Sequence, residues 1–360
     1  MGVFNLQRLG TIMEPEQGNE MEAEGVLNPA VARGPNGELY LFPRMVAKGN
    51  YSRIGIARVV FNSKGDPVSV ERLGIALEPT EDYEKRPDGG GGCEDPRITF
   101  VETLGRYLMT YTAFSTNGPR IALAQSKDLL HWERLGLAKF APYKNIEFNN
   151  VNNKDACIFP TSVLSKHNHL SMAMLHRPLF PGTRPEDTVK APVNRRIGDH
   201  HECIWISYCH VKMDPDKPQH LARFESNQPL VIPSAPWEIL KIGAGTPPVL
   251  IKHGWLILYH GVSEISLSKT EGHHLRYSAG VMILDKEHPE KILYRSANPV
   301  LSPDLPEEQV GTIANVVFPT GIDRRDDLGK PNCFDVYYGM ADNRIGVARM
   351  SIPDVLPKAN

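Results

Sequence analysis

Apolar residues fall along this chain in short runs, rich in β-branched and aromatic side chains, with Gly, Pro, Asn and Asp between them. That pattern predicts strands joined by turns. One grouping recurs: an apolar strand with a proline nearby, a polar turn, an aromatic-rich strand, and a third strand ending in small residues. It first appears as Asn28-Pro29-Ala30-Val31, the turn Gly34-Pro35-Asn36-Gly37, Leu39-Tyr40-Leu41-Phe42 and Ile54-Gly55-Ile56-Ala57. It returns from Asp95-Pro96-Arg97-Ile98 through Tyr107–Tyr111 to Ile121–Ala124. A third copy runs from Asp155–Pro160 through Leu170–Met174 to Ile204–Tyr208. A fourth runs from Thr246–Leu250 through Trp255–Tyr259 to Tyr277–Met282, and a fifth from Asn315–Pro319 through Phe334–Tyr338 to Ile345–Ala348. Five copies at a spacing of about 60–90 residues predict small sheets repeated radially around a channel. The expected fold is all-β, a single-domain five-bladed β-propeller over 27–350. Strands of a sandwich do not usually come in such grouped repeats. Polar residues 1–26 read as an N-terminal arm, a candidate contact for a homo-oligomer, and 351–360 as a C-terminal tail. The third copy carries an inserted loop at 179–203.

Composition narrows the function. Hydrophobic residues make up 41% and charged residues 23% of the 360, with a net charge of −2 and no block of like charges. No electrostatic footprint for nucleic acid or a membrane surface is present. Neither a signal peptide nor a membrane-length apolar run is legible. Cys93, Cys157, Cys203, Cys209 and Cys333 form no Cys-x-x-Cys pair, which suits reduced thiols and a cytoplasmic protein. His200-His201-Glu202 has metal-ligating residue types. Adjacent histidines on an extended strand point to opposite faces, so no metal and no other cofactor is expected.

The candidate chemistry centres on Gly89-Gly90-Gly91-Gly92-Cys93-Glu94-Asp95-Pro96-Arg97. Here a glycine loop enters a strand, a position at which a scaffold can hold a reactive group. The glycines are expected to let backbone pass close to a ligand, with Arg97 positioning Asp95. In a propeller the equivalent loops of all blades gather at one end of the channel. The other blades place Asn28, Arg44 and Arg53; Lys154, Asp155, His176 and Arg177; Lys241, His260 and Tyr277; and Asn315 and Asp342 beside strand ends. Carboxylates and amides suit sugar hydroxyls, and a cluster of Arg, Lys, His and Tyr suits an oxyanion such as phosphate.

From about residue 27 to 350 the chain resembles glycoside hydrolase family 130, five-bladed propellers acting on β-mannosides. The resemblance rests on Glu94-Asp95-Pro96-Arg97, Lys154-Asp155 and His176-Arg177-Pro178. It also rests on Lys241–Pro248, Gly254–Val262, Asn315–Phe318 and Tyr337–Asp342. It implies inverting phosphorolysis of short β-mannosides to α-mannose 1-phosphate, with inorganic phosphate as co-substrate. Asp95 becomes the catalytic acid, its proton relayed through the mannose 3-hydroxyl. Arg177, Lys241, His260 and Tyr277 become phosphate ligands, with Lys154 beside them. Asn28, Arg44, Arg53, Glu94, Arg97, Asp155 and Asp342 are assigned to the sugar. A phosphorylase needs only the acid, since phosphate is already an anionic nucleophile, whereas an inverting hydrolase needs a second carboxylate to activate water. One departure matters. Many of the family's phosphorylases carry Arg-Asn where this chain has Lys154-Asp155, and Asp155 repels phosphate unless Lys154 or Arg177 compensates. The alternative is therefore an inverting β-mannosidase, with Glu202, Glu238 or Glu264 as its base. The matching phosphate positions favour phosphorolysis, and the linkage stays open between β-1,2 and β-1,4.

Overall fold

The computed structural model describes residues 4–144, 147–180, 202–210, 218–266, 273–330 and 332–356. The chain is an all-β, five-bladed propeller. A first strand, β1 (Asn5–Met13), precedes blade 1, which is built from β2 (Gly25–Arg33), β3 (Leu39–Ala47), β4 (Tyr51–Phe61) and β5 (Pro67–Leu77). Blade 2 holds β6 (Gly91–Val101), β7 (Arg106–Ser115), β8 (Gly118–Ser126) and β9 (Glu133–Leu137), and a short parallel pairing of β4 with β6 joins the two blades. Blade 3 holds β10 (Lys139–Phe140), β11 (Asn152–Ile158), β12 (Val163–Leu164), β13 (Leu170–Leu179), β14 (Ile204–Cys209) and β15 (Arg223–Val231). Blade 4 comprises β16 (Lys241–Ala244), β17 (Val249–Ile251), β18 (Gly254–Ser266), β19 (His273–Leu284) and β20 (Ile292–Arg295). Blade 5 is β21 (Val317–Arg324), β22 (Cys333–Met340) and β23 (Arg344–Ser351), completed by β1 (Asn5–Met13).

That last pairing corrects the reading of residues 1–26 as an arm. β1 runs antiparallel to β23, from Asn5 opposite Ser351 to Met13 opposite Ile345. Register shifts between Arg8 and Gly10 and between Thr11 and Met13 break its alternation, so the segment did not look like a strand. The C-terminal tail is likewise shorter than expected, because Ser351 belongs to β23 and Ile352 is buried. Of the inserted loop expected at 179–203, residues 181–201 lie outside the described residues, His200 and His201 among them.

Apolar faces of adjacent blades pack together and build the cores between them. Trp255 of β18, fully buried, meets Phe159 of blade 3 edge-on at 5.3 Å. Hydroxyls stitch neighbouring blades together near the channel. Thr99 donates to the Ile158 carbonyl at 3.0 Å, Thr110 to Ala156 at 2.6 Å, and Thr320 to Pro29 at 2.8 Å.

The rim carries a second repeat. Glu22, Glu84, Glu238 and Glu308 each sit in a short helical turn before a blade and are fully buried. Each carboxylate accepts from an arginine on that blade's outermost strand: Arg72, Arg134, Arg295 and Arg8 respectively. Tyr111, Tyr259 and Tyr338 add a phenolic donor to Glu84, Glu238 and Glu308. In blade 3 the matching turn holds Phe148, packed against Phe140, His176 and Trp205. Glu238 is thus an anchor of the fold and not a base for water.

Candidate active site

Three blades turn the same strand position inward by the same device. Asn28, Asp95 and Asp155 occupy left-handed backbone at φ 44°, 48° and 57°. Each sits within a register shift of an innermost strand: Leu27/Ala30, Glu94/Arg97 and Lys154/Cys157. Such a bulge re-aims one side chain. Among residues with a Cβ, Asn and Asp tolerate this conformation best, at a cost of about 1–3 kcal/mol. Pro29 and Pro96 reinforce it by disfavouring the right-handed helical region for the residue before them.

The first cluster gathers around Asp95, which is 7% exposed. Its Oδ1 accepts from Asn28 Nδ2 at 2.9 Å and from Arg44 Nη1 at 3.2 Å. Arg44 also reaches Glu94 Oε1 at 2.9 Å, and Ser52 Oγ and Asn50 Oδ1 hold its fork. Lys154 stands 3.5 Å from Glu94 Oε2, on the acid side of the site and not among the proposed phosphate ligands. Burial pushes the Asp95 carboxyl up, but the charges of Arg44, Lys154 and Arg97 outweigh it and hold the group below the usual range. Asp342 behaves in the opposite way. Burial carries it up to about 6, with Arg44 and Lys154 opposing and Asp95 and Glu94 reinforcing. It sits with Ala341 in a turn whose two residues are both left-handed, φ 48° each. Backbone bonds from Ala341 N to Val316 O at 3.0 Å and from Asn343 N to Met340 O at 3.0 Å pin that turn.

The second cluster gathers around Arg177. Its Nε donates to Asp155 Oδ2 at 2.6 Å and its Nη1 pairs with Glu202. His260 Nε2 is 3.6 Å from Asp155 Oδ2, and its ring lies 4.4 Å from Phe318 and 6.3 Å from Tyr277. The Lys241 ammonium lies 5.5 Å from the Tyr277 ring centre. Burial pushes Asp155 up, yet Arg177, His260 and Arg97 bring it well below the carboxylate range. Burial lowers His260 to about 3, so its imidazole is neutral at physiological pH. Its Nδ1 is buried with no hydrogen-bond partner. Gly243 leaves room for this packing, since a Cβ there would come within 2.2 Å of Asp155 Oδ2 and 2.3 Å of His260.

Several expectations change. Arg97 does not face the sugar. It is 1% exposed and donates to the carbonyls of Asp95 and Gly245 at 3.0 Å and Ala244 at 3.2 Å, tying blade 2 to blade 4. It therefore positions the Asp95 backbone and not its carboxylate. Arg53 lies on the opposite face of β4 from Ser52, which bonds Arg44; it pairs with Glu78 at 2.6 Å and stacks on Tyr51. Asp155 is bound to the cations, away from the acid cluster. Gly91 and Gly92 let β6 approach protein backbone, where a Cβ would meet Phe114 O at 2.3 Å and Ser52 O at 2.2 Å. Cys93 is buried, and burial raises its thiol well above normal, as for an inert core cysteine. His176 is a core residue bonded to Ser207 and Asn153. Of the three candidate bases only Glu202 stands in the cation cluster, while Glu264 is exposed at the end of β18. No metal-binding cluster occurs among the described residues. No helix among them is long and apolar enough to cross a membrane. Sequence reasoning missed the structural parts of Phe318 and Gly243, although both lie inside motifs already singled out.

A radial β-propeller with carboxylates and cations gathered where its blades begin is the architecture of a carbohydrate-active enzyme. The model of glycoside hydrolase family 130, described as beta-1,4-mannooligosaccharide phosphorylase, matches residues 6–358, and the chain belongs to this family. It is 31% identical over 362 residues to a 1,2-beta-oligomannan phosphorylase of Thermoanaerobacter sp. strain X514, covering 98% of this chain and 99% of the relative. A beta-1,4-mannooligosaccharide phosphorylase of Ruminococcus albus is 29% identical, over 78% of this chain and 69% of the relative. Among solved structures, the beta-1,2-mannobiose phosphorylase of Listeria innocua in complex with beta-1,2-mannobiose superposes with a TM-score of 0.68 at 24% identity, covering 97% of each chain. Another has a TM-score of 0.69 at 21% identity and covers 100% of this chain and 97% of its own. Its description says that the mannoside phosphorylase family contains glycoside hydrolases that target beta-1,2 mannosidic linkages in Candida mannan.

Proposed function

We propose that the enzyme cleaves β-mannosidic bonds of short manno-oligosaccharides by inverting phosphorolysis, releasing α-mannose 1-phosphate. The observation that carries this reading is the division of the site into an acid half around Asp95 and a cationic half around Arg177, Lys241, His260 and Tyr277. Phosphate oxygen attacks the anomeric carbon from the α face and the bond to the leaving sugar breaks. The leaving oxygen takes its proton from Asp95 through the mannose 3-hydroxyl, the relay that the family resemblance implies. Asp95 is ionised in the ligand-free site at neutral pH, so the proton enters with the substrates. Hydrogen phosphate loses one proton on forming the ester dianion, which balances the proton delivered to the leaving alcohol. Asn28, Arg44 and Asp342 hold the mannose, and neutral His260 offers phosphate a single ring N–H.

The relatives matched over nearly the whole chain act on β-1,2 linkages, which makes β-1,2-linked manno-oligosaccharides the preferred substrates in this reading. A cytoplasmic setting accords with five buried cysteines, none in a disulfide. The second reading is hydrolysis on the same site. It is favoured by one observation, the pair of carboxylates, Asp155 and Glu202, that engages Arg177. Incubation with β-1,2- and β-1,4-mannobiose, with and without phosphate, decides between them. Mannose 1-phosphate formed only with phosphate is the expected product. Free mannose at equal rates in phosphate-free buffer overturns phosphorolysis.

A further inference from the structure

Glu202 places a negative charge on the cation that phosphate would use. The residue is 5% exposed. Its carbonyl accepts from Ile242 N at 3.0 Å and its backbone bridges to Lys241, which fixes the residue at the junction of blades 3 and 4. Arg177 thus meets carboxylates at two of its three guanidinium nitrogens. The two carboxylates are held differently. Asp155 is built into the scaffold by its left-handed bulge, by Arg97 at 3.8 Å and by the absence of a Cβ at Gly243. Glu202 reaches Arg177 on a longer, rotatable arm. A phosphate dianion beside Lys241, His260 and Tyr277 would therefore confront Glu202 across the same guanidinium.

We propose that Glu202 is a specificity-determining residue, an internal counter-anion that occupies the phosphate position on Arg177 until phosphate displaces it. The proposal rests on the phosphorolytic reading, and it makes Glu202 the setting for how much phosphate the enzyme requires. Juxtaposed like charges in a binding site are strongly unfavourable, so removing this one strengthens anion binding.

The test titrates inorganic phosphate calorimetrically into the wild-type enzyme, Glu202→Gln and Glu202→Asp. For Glu202→Gln, phosphate affinity is expected to rise by about tenfold or more. KM for phosphate falls by the same factor and KM for the mannoside is unchanged. Glu202→Asp keeps the charge on a shorter arm, so its affinity should lie between the two; it also carries the test if the glutamine variant does not fold. Unchanged or weaker phosphate binding in these variants overturns the proposal, because Glu202 then merely orients Arg177. Loss of phosphate-free mannose release in Glu202→Gln, with phosphate binding unchanged, also overturns it and assigns Glu202 to water activation. If the wild-type enzyme binds phosphate yet turns over equally well without it, phosphorolysis fails. The Glu202 titration still decides the counter-anion proposal in that case.

Discussion

Tyr259 and His260 are consecutive residues of β18, yet they serve different regions. Tyr259 donates to buried Glu238 in the rim anchor, while His260 turns to Asp155 in the site. Blades 2 and 5 repeat the division: Tyr111 and Tyr338 go to their anchors, while Thr112 and Gly339 follow them on the other face. At the rim four of the five blades keep the same chemistry, Glu with Arg, and three of those four add Tyr. At the channel, the residue following the anchor position changes from blade to blade: Arg44, Thr112, Arg177, His260, Gly339. Strand alternation thus separates what holds a blade in place from what faces the channel, and one can vary without the other.

The separation predicts mutants that damage one region alone. The largest effect falls on the site. Asp95→Asn should lower kcat by on the order of 10²–10⁴, while thermal unfolding by calorimetry stays close to wild type. A comparable drop in melting temperature would show that the acid also supports the fold. Glu238→Ala should do the reverse. It strands Arg295 and the Tyr259 hydroxyl in the protein interior and should cost about 3–5 kcal/mol in denaturant unfolding, with KM for phosphate preserved in the folded fraction. A specific loss of phosphate affinity would mean that rim and channel are coupled through β18. The smallest effect concerns Asp342, whose carboxyl rises from 3.8 to about 6 on folding. The folded protein then binds a proton that the unfolded chain releases. The stabilisation is complete below pH 4 and is lost as the pH rises through about 6. Asp342→Asn should remove that slope, gaining about 1 kcal/mol at pH 7.5 relative to wild type after allowance for its partial exposure. Parallel melting curves of the two proteins from pH 4 to 8 would contradict it.

The blades were legible because their inner strands carry dense apolar and aromatic runs, Tyr107–Tyr111 and Trp255–Tyr259 among them. β1 was not, since its two register shifts scramble the period of two. Asp95 stood out because a glycine run leads into a strand there and because the family resemblance falls on it; the bulge that aims it was not legible, since Asp155 makes the same bulge without a following proline. The grouping of the charged residues was harder to see. Lys154 and Asp155 adjoin in sequence, but the bulge sends Lys154 to Glu94 and Asp155 to Arg177. Residue type alone placed Arg53 and Arg97 with the sugar. Their actual partners, Glu78 just after β5 for Arg53 and the carbonyls of blade 4 for Arg97, depend on strand facing and inter-blade packing.

The closure of blade 5 by β1 has a consequence for synthesis. Asn5 pairs with Ser351, so β1 must wait for β23, which is made long after it. Such long-range pairing forms late, whereas the N-terminal part of a growing chain can begin to fold as it is made. Arg8 of β1 holds Glu308, and the segment after Glu308 supplies Val316, whose carbonyl pins the Asp342 turn. A nascent chain can thus assemble the loop bearing Asp95 well before it holds Asp342 in place. Premature termination before blade 5 would leave Asp95 without the neighbouring Asp342 carboxyl, so the charge cluster around Asp95 is complete only when that blade has been translated.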